Sequence, residues 1–176
     1  AGRLPPRAAM TVAIVPVEMR HIESLNECVA EVARERRFLS IVDGFTLDQS
    51  AAWVAADQLR GNPFLVTLDQ GRVVGWCEVR RDLLPGRAHT GLLGMGLRAP
   101  YRGRGLGRQL IEQALQAARQ RGFERIELMV RSPNTCAIRL YSQVGFREEG
   151  RKRDAVRLDD GSEDEVLMAL HLREKN

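Results

Sequence analysis

Between residues 88 and 130 the chain reads strand, turn, helix, strand, and this unit constrains the fold more than any other stretch. Residues 88–97 form an extended run that Ala99-Pro100 ends. Glycines and arginines follow, and then Leu106, Leu110, Ile111, Ala114, Leu115 and Ala118 recur at helical spacing up to Gly122. Residues 125–130 are extended again. Two strands joined by a crossover helix lie parallel and side by side.

The rest of the chain builds around that unit. Residues 11–15 read as a first strand stopped by Pro16. Residues 20–37 carry Ile22, Leu25, Val29, Val32 and Ala33 on one helical face, and residues 51–59 form a second helix with Asp48 as its cap. Gly61-Asn62-Pro63 breaks the chain, and residues 64–68 and 72–79 pair as a hairpin about Asp69-Gln70-Gly71. Pro133 and Asn134 open a last helix, which Gly145 closes. Residues 146–149 and 165–172 supply two more strands around an acidic loop, Asp159-Asp160-Gly161. The expectation is an α/β fold: a mixed sheet of about seven strands with about four helices on both faces. At 176 residues and 44% apolar, one domain over residues 10–176 is expected, with the Arg- and Pro-rich residues 1–9 as an N-terminal arm.

Net charge is +4, with arginines gathered at residues 98–108 and 147–157. Such a patch suits nucleic acid or a small phosphate-bearing cofactor. Aromatic residues make up only 5%, so the stacking side chains of a single-strand binder are missing and no nucleic-acid partner is expected. Cys28, Cys77 and Cys136 lie far apart without a CxxC, which fits a reducing, cytoplasmic setting. No run is long and apolar enough for a membrane span, and no cluster of His and Cys has metal-ligand spacing, so neither membrane nor metal is expected.

Arg102-Gly103-Arg104-Gly105-Leu106-Gly107 sits where a strand gives way to a helix. Unpaired main-chain N–H groups and the positive helix end can hold phosphate there, glycines permit close approach, and Arg102, Arg104 and Arg108 add charge. A solvated basic turn would carry the same residues. The Walker pattern fails for want of Lys followed by Ser or Thr. The dinucleotide fingerprint fails because Gly103, Gly105 and Gly107 are spaced by two.

The segment Pro100-Tyr101-Arg102-Gly103-Arg104-Gly105-Leu106-Gly107 resembles the [Arg/Gln]-x-x-Gly-x-[Gly/Ala] signature of the GNAT superfamily of N-acetyltransferases. Asn134, Ala137, Tyr141 and Gly145-Phe146 match that family's second mark, and the order of elements extends the likeness over residues 11–172. The resemblance implies acetyl-CoA as acyl donor and fourth and fifth strands that splay apart, with the pantetheine arm lying against Met95, Gly96 and Leu97. It also implies a cofactor role for Asn134 and Tyr141, with Tyr141 as general acid toward the departing sulfur. Glycines 94 and 96 suit a bulge or a close ligand approach. Asn134 and Tyr141, seven residues apart, share one helix face.

An alkyl ammonium must lose a proton before it attacks, so a base is needed. Glu78 ranks first because it continues an apolar strand next to the fourth. Glu35, His89 and Glu127 are further candidates, and Met129, on Glu127's face of the fifth strand, cannot act as a base. No covalent-nucleophile arrangement stands out, so direct transfer is expected.

The acceptor is expected at the two N-terminal helices, near Arg36, Arg37, Phe38 and Leu39, which suit a carboxylate with an apolar side chain. Together with Gly75-Trp76-Cys77 and residues 150–154, the pattern resembles GNAT enzymes acting on the primary amine of small amino acids or amino-acid-like antibiotics. A ribosomal-protein-type N-terminal acetyltransferase and a non-catalytic acyl-CoA-binding module are the alternatives. Residues 166–172, read as an apolar sheet edge, suggest a homodimer.

Overall fold

The computed structural model describes residues 12–159 and 161–172. Residues 1–11, with the arm and the first residue of the expected first strand, lie outside them, as does Asp160. The elements in chain order are β1 (Val12–Pro16), α1 (Ile22–Arg34), α2 (Leu47–Leu59), β2 (Phe64–Asp69), β3 (Arg72–Arg81), β4 (Thr90–Leu97), α3 (Leu106–Gln120), β5 (Arg125–Arg131), α4 (Thr135–Val144), β6 (Arg147–Leu158) and β7 (Gly161–His171). The seven strands form one sheet in the order β1-β2-β3-β4-β5-β7-β6. Only β4 and β5 run parallel, as the crossover helix requires.

Helices cover both faces. On one, Leu25, Cys28, Val29 and Val32 of α1 and Val54 of α2 pack on Val66, Val73 and Trp76. On the other, Leu110, Ile111, Ala114, Leu115 and Ala118 of α3, with Tyr141 of α4, pack on Cys77, Leu93, Ile126 and Leu128. Each such aliphatic side chain contributes about 1.5–3 kcal/mol on burial.

Several boundaries move from the sequence reading, each for a local reason. Helix α1 stops at Arg34 rather than residue 37, and Arg36 takes a left-handed φ of 54° that no helix continues. Helix α2 begins at Leu47, because Thr46 and Gln49 form a reciprocal capping box in place of the Asp48 cap. A short 3-10 turn over Pro85–Arg87 delays β4 to Thr90. The largest change is at the end, where β6 and β7 make a long hairpin. Its run of charged residues, with no apolar period, hid the extension of that strand from residue 149 to Leu158.

That hairpin overturns the expected apolar edge. Strand β7 lies inside the sheet, between β5 and β6, and the edge is β6, whose residues are mostly exposed and charged. Self-association argued from residues 166–172 loses its basis. The edge also carries register shifts at Glu148/Gly150 and Lys152/Val156.

Candidate active site

Helix α3 begins from a backbone turn with no side-chain cap. Gly105, its N-cap, has φ 79°, and Gly103 has φ 70°. A Cβ at either position would meet no atom within 4 Å, so these glycines serve left-handed backbone, and the surface above them is open. The first intrahelical bond runs from the Gln109 N–H to the Gly105 carbonyl, 3.2 Å. The amides of Leu106, Gly107 and Arg108 therefore have no carbonyl within the helix, and they point along its positive end. Helices α2 and α4 differ, being capped by Thr46 and Asn134.

The arginines around this turn do not all face it. Arg102 donates from Nε to the Leu97 carbonyl (2.8 Å) and makes a bidentate pair with Glu35 (2.8 and 2.6 Å), its guanidinium 4.4 Å from the Phe38 ring centroid. The charge that the sequence reading aimed at phosphate is neutralised by a carboxylate. Arg98, buried, donates to the Val73 carbonyl and pairs with Glu31. Glu31 on α1 and Glu35 at its C-cap lie four residues apart, and so do Arg98 and Arg102, so the end of the helix holds the turn at two points. Arg108 pairs with Glu112 (3.0 Å), and Arg104 is exposed.

Strands β4 and β5 pair only at Thr90, Gly91 and Leu92; beyond Leu92, β4 remains in register with β3 alone. This is the expected splay. Leu93, Met95 and Leu97 pack toward α3 and α4, and Gly107 sits close to Met95, Leu97 and Leu140. The opposite face of β4 carries the glycines. A Cβ on Gly96 would fall 2.3 Å from the Trp76 ring, and one on Gly94 would fall 3.2 Å from Glu78 Oε1. No bulge occurs in β4, whose register with β3 is unbroken; the glycines make room for Trp76 and Glu78.

Tyr141 is buried in the cluster on the α3 and α4 face, its ring 5.9 Å from that of Phe146. Burial, with a smaller contribution from Cys77, pushes its phenol upward, so it stays protonated at neutral pH. Asn134 accepts the Ala137 N–H (3.2 Å) as the cap of α4, which ties this residue to the helix that carries Tyr141.

Glu78 is 5% exposed and faces α2, where Trp53 Nε1 donates to its Oε2 at 2.6 Å. Burial first, and then the Asp57 carboxyl, push Glu78 up to about 8, against the pull of Arg80 and the Trp53 N–H. The other candidate bases are engaged elsewhere. Glu35 is held by Arg102, and Glu127 by Arg125 (2.8 Å) and Arg87 (3.3 Å). His89 is exposed, and Met129 is 40% exposed on β5. Sequence reading missed Glu78's neighbours Trp53 and Asp57, and Asn62, which bonds Asp57. Trp53 and Asp57 stand four apart on α2, a spacing that signalled a shared face.

The segment linking α1 and α2 reaches across to the far half of the sheet. Arg131 at the end of β5 donates to the carbonyls of Arg36 (2.8 Å) and Leu39 (3.3 Å), and Ser40 bonds Glu165 of β7 (3.2 Å). Arg36 pairs with Asp159 at 2.5 Å, and Arg37 lies near the Phe38 ring. A cavity of about 100 Å³ lined by Arg36, Arg131 and Glu163 lies beyond this segment. Its charges are already matched, Arg131 to Glu163 and Arg36 to Asp159, so it is a poor acceptor site.

Residues 27–146 match the model of the Acetyltransferase (GNAT) family. The chain is 40% identical over 70 residues to the [ribosomal protein bS18]-alanine N-acetyltransferase of Escherichia coli (strain K12), covering 40% of this chain and 47% of that protein. It is 31% identical over 100 residues to the L-methionine sulfoximine/L-methionine sulfone acetyltransferase of Salmonella typhimurium (strain LT2), covering 56% and 58%. The chain thus spans about half the length of these curated relatives. The structure of yncA from Salmonella typhimurium, solved with its cofactor acetyl-CoA, superposes with a TM-score of 0.88 at 23% identity, over 94% of this chain and 96% of that one, a likeness of fold. A matched family model over two thirds of the chain, the parted β4 and β5, and an uncapped α3 at their mouth place this protein in the GNAT family of acetyltransferases.

Proposed function

We propose that the protein transfers an acetyl group from acetyl-CoA to the primary amine of a small, amino-acid-like molecule. The observation that carries this reading is the parting of β4 from β5 beyond Leu92, with the bare first turn of α3 beside it. The amides of residues 106–108, with Gly103 and Gly105 keeping the approach open, suit a diphosphate. The freed edge of β4 at Met95, Gly96 and Leu97 suits an amide-bearing arm, because edge backbone groups seek hydrogen-bond partners. Arg104 and Arg108 stand exposed at the mouth, Arg108 paired with Glu112, while Arg102 holds the turn in shape. Acetyl-CoA, when bound, supplies an activated acyl carbon on a good leaving group.

The chain's own residues divide the proton work between the two faces of the sheet. Glu78 on the α2 face receives a proton from the acceptor's ammonium, and the neutral nitrogen then attacks the acyl carbon. As the C–N bond forms and the C–S bond breaks, the nitrogen sheds a second proton to water, and Glu78 passes the first to solvent to regain its ionised form. Tyr141 on the opposite face donates its own to the sulfur and is reprotonated from solvent, so one proton leaves per turnover. Unpaired Cys28, Cys77 and Cys136 fit a reducing compartment such as the cytoplasm.

A second reading, acetylation of a protein N-terminus, is favoured by the 40% identical segment shared with the bS18-alanine enzyme. Incubation with acetyl-CoA and a panel of amino acids, polyamines and N-terminal peptides, read by product mass spectrometry and thiol release, separates the two. Acetylated amino acids are expected. Products from peptides alone would establish the second reading, and absence of acetyl-CoA binding would end both.

A further inference from the structure

Asp57 is 1% exposed on α2 and meets Glu78 across the gap to β3. Its Oδ1 accepts a hydrogen bond from Asn62 Nδ2 at 2.7 Å. The orientation of that amide is fixed from its other end, since Asn62 Oδ1 accepts the Arg81 N–H at 3.2 Å. Asp57 Oδ2 is left buried without a donor. The Glu78 carboxyl stands within hydrogen-bonding reach of Asp57, and its own fixed donor, Trp53 Nε1, goes to Oε2. Two bare carboxylates buried face to face repel; a proton between them turns repulsion into a hydrogen bond and supplies the donor that Oδ2 lacks.

We infer that Asp57 and Glu78 form a one-proton carboxyl pair, in which Asp57 is a positioning residue that orients Glu78 and sets the pH at which it becomes a base. The inference rests on the reading of Glu78 as the base. The groups around the pair are few: Arg80 Nε at 3.7 Å from Glu78 Oε2, the neutral Cys77 thiol next in the chain, Trp53 and Asn62. On the β4 side stands Gly94, which brings no charge. Arg80 is half exposed and its attraction is screened, so burial and Asp57 outweigh it and the pair keeps its proton at neutral pH. The active form is the proton-free pair, and its re-formation each cycle sends one proton outward. The titration belongs to the pair as a whole.

The test uses the full chain, with kcat/KM against pH for wild type, Asp57→Asn and Glu78→Gln on one acceptor, so that the amine's own titration is common to all. Asn fits the site: its Oδ1 still accepts from Asn62, and its Nδ2 donates to an ionised Glu78. Wild type should rise through an apparent pKa of about 8. Asp57→Asn should move that limb to lower pH by about one unit or more with a lower plateau, because a weaker base removes the proton. Glu78→Gln should lose the limb and about 10²-fold in kcat/KM. Infrared spectra of the resting protein should show a protonated carboxyl that shifts with ¹³C-glutamate labelling and ionises near pH 8 in wild type, but at lower pH in Asp57→Asn. Equal ionisation in wild type and Asp57→Asn overturns the pair. Full turnover in Glu78→Gln alongside the expected infrared shift overturns the base reading and leaves the pair standing.

Discussion

A carboxyl group beneath an indole, with a second carboxyl for a neighbour, binds its proton more tightly folded than unfolded. Glu78 is raised from an ordinary 4.5 to about 8, so its contribution to stability is full below pH 4.5 and is lost as pH rises through 8. The melting temperature of wild type should therefore fall between pH 5 and pH 9 relative to Glu78→Gln, whose curve should be flatter across that window. Scanning calorimetry at both ends checks it, and parallel curves would contradict the raised carboxyl. At Tyr141 the hydroxyl alone is at issue, because the ring packs beside Phe146 in either case. Tyr141→Phe should keep its melting temperature and its KM for acetyl-CoA while kcat falls about 10²-fold, read by thiol release. Undiminished turnover would remove Tyr141 from the proton path. Both residues could be picked from the chain, Tyr141 by a family motif and Glu78 by its position in an apolar strand. Their surroundings could not, because Trp53 and Asp57 reach Glu78 only after α2 folds onto the sheet.

The turn from β4 into α3 joins local backbone demand to distant charge. Gly105→Ala places a side chain at φ 79° and should destabilise the protein by about 1–2 kcal/mol in urea denaturation. It should also weaken acetyl-CoA binding, as the first amides of α3 shift. Arg102 separates two views of the same motif. Its side chain meets Glu35, the Leu97 carbonyl and Phe38. Arg102→Met should thus raise the acceptor KM, through the segment linking α1 and α2, more than the KM for acetyl-CoA. Steady-state kinetics with each substrate varied gives the answer, and the opposite ranking would restore Arg102 as a phosphate ligand. Glu27 and Glu31 on α1 and Glu35 at its C-cap recur every fourth residue. Matched to Arg98 and Arg102, also four apart, that spacing announced this contact, yet a charged helix face is ordinarily read as solvated. Apolar residues marked α3 and β2 to β5, whereas β6, mostly exposed and charged, was read only as far as residue 149 of a strand that runs to Leu158.

The sheet consists of β1 to β4 on one side and β5 to β7 on the other, joined in the ladder by the three pairs at Thr90, Gly91 and Leu92. Helix α3 and the Arg131 bonds to Arg36 and Leu39 bind the halves elsewhere. Amide hydrogen exchange should find fast positions within residues 93–97 that slow on adding acetyl-CoA, while residues of β7 remain protected throughout. Unchanged exchange would deny the ligand its place along β4. The parallel pairing was readable from the crossover unit, but the long hairpin was not, and with it went the identity of the outermost strand.

Strand β6 gives the molecule a rim that repels its own image. Two copies laid rim to rim, antiparallel about Lys152, would set Arg151 against Arg153 and Lys152 against itself, and like charges directly opposed push strands apart. Asp154, at a φ of 50° beside a register shift, bends the same rim out of line. Fibrous growth by strand addition is thereby obstructed on that flank.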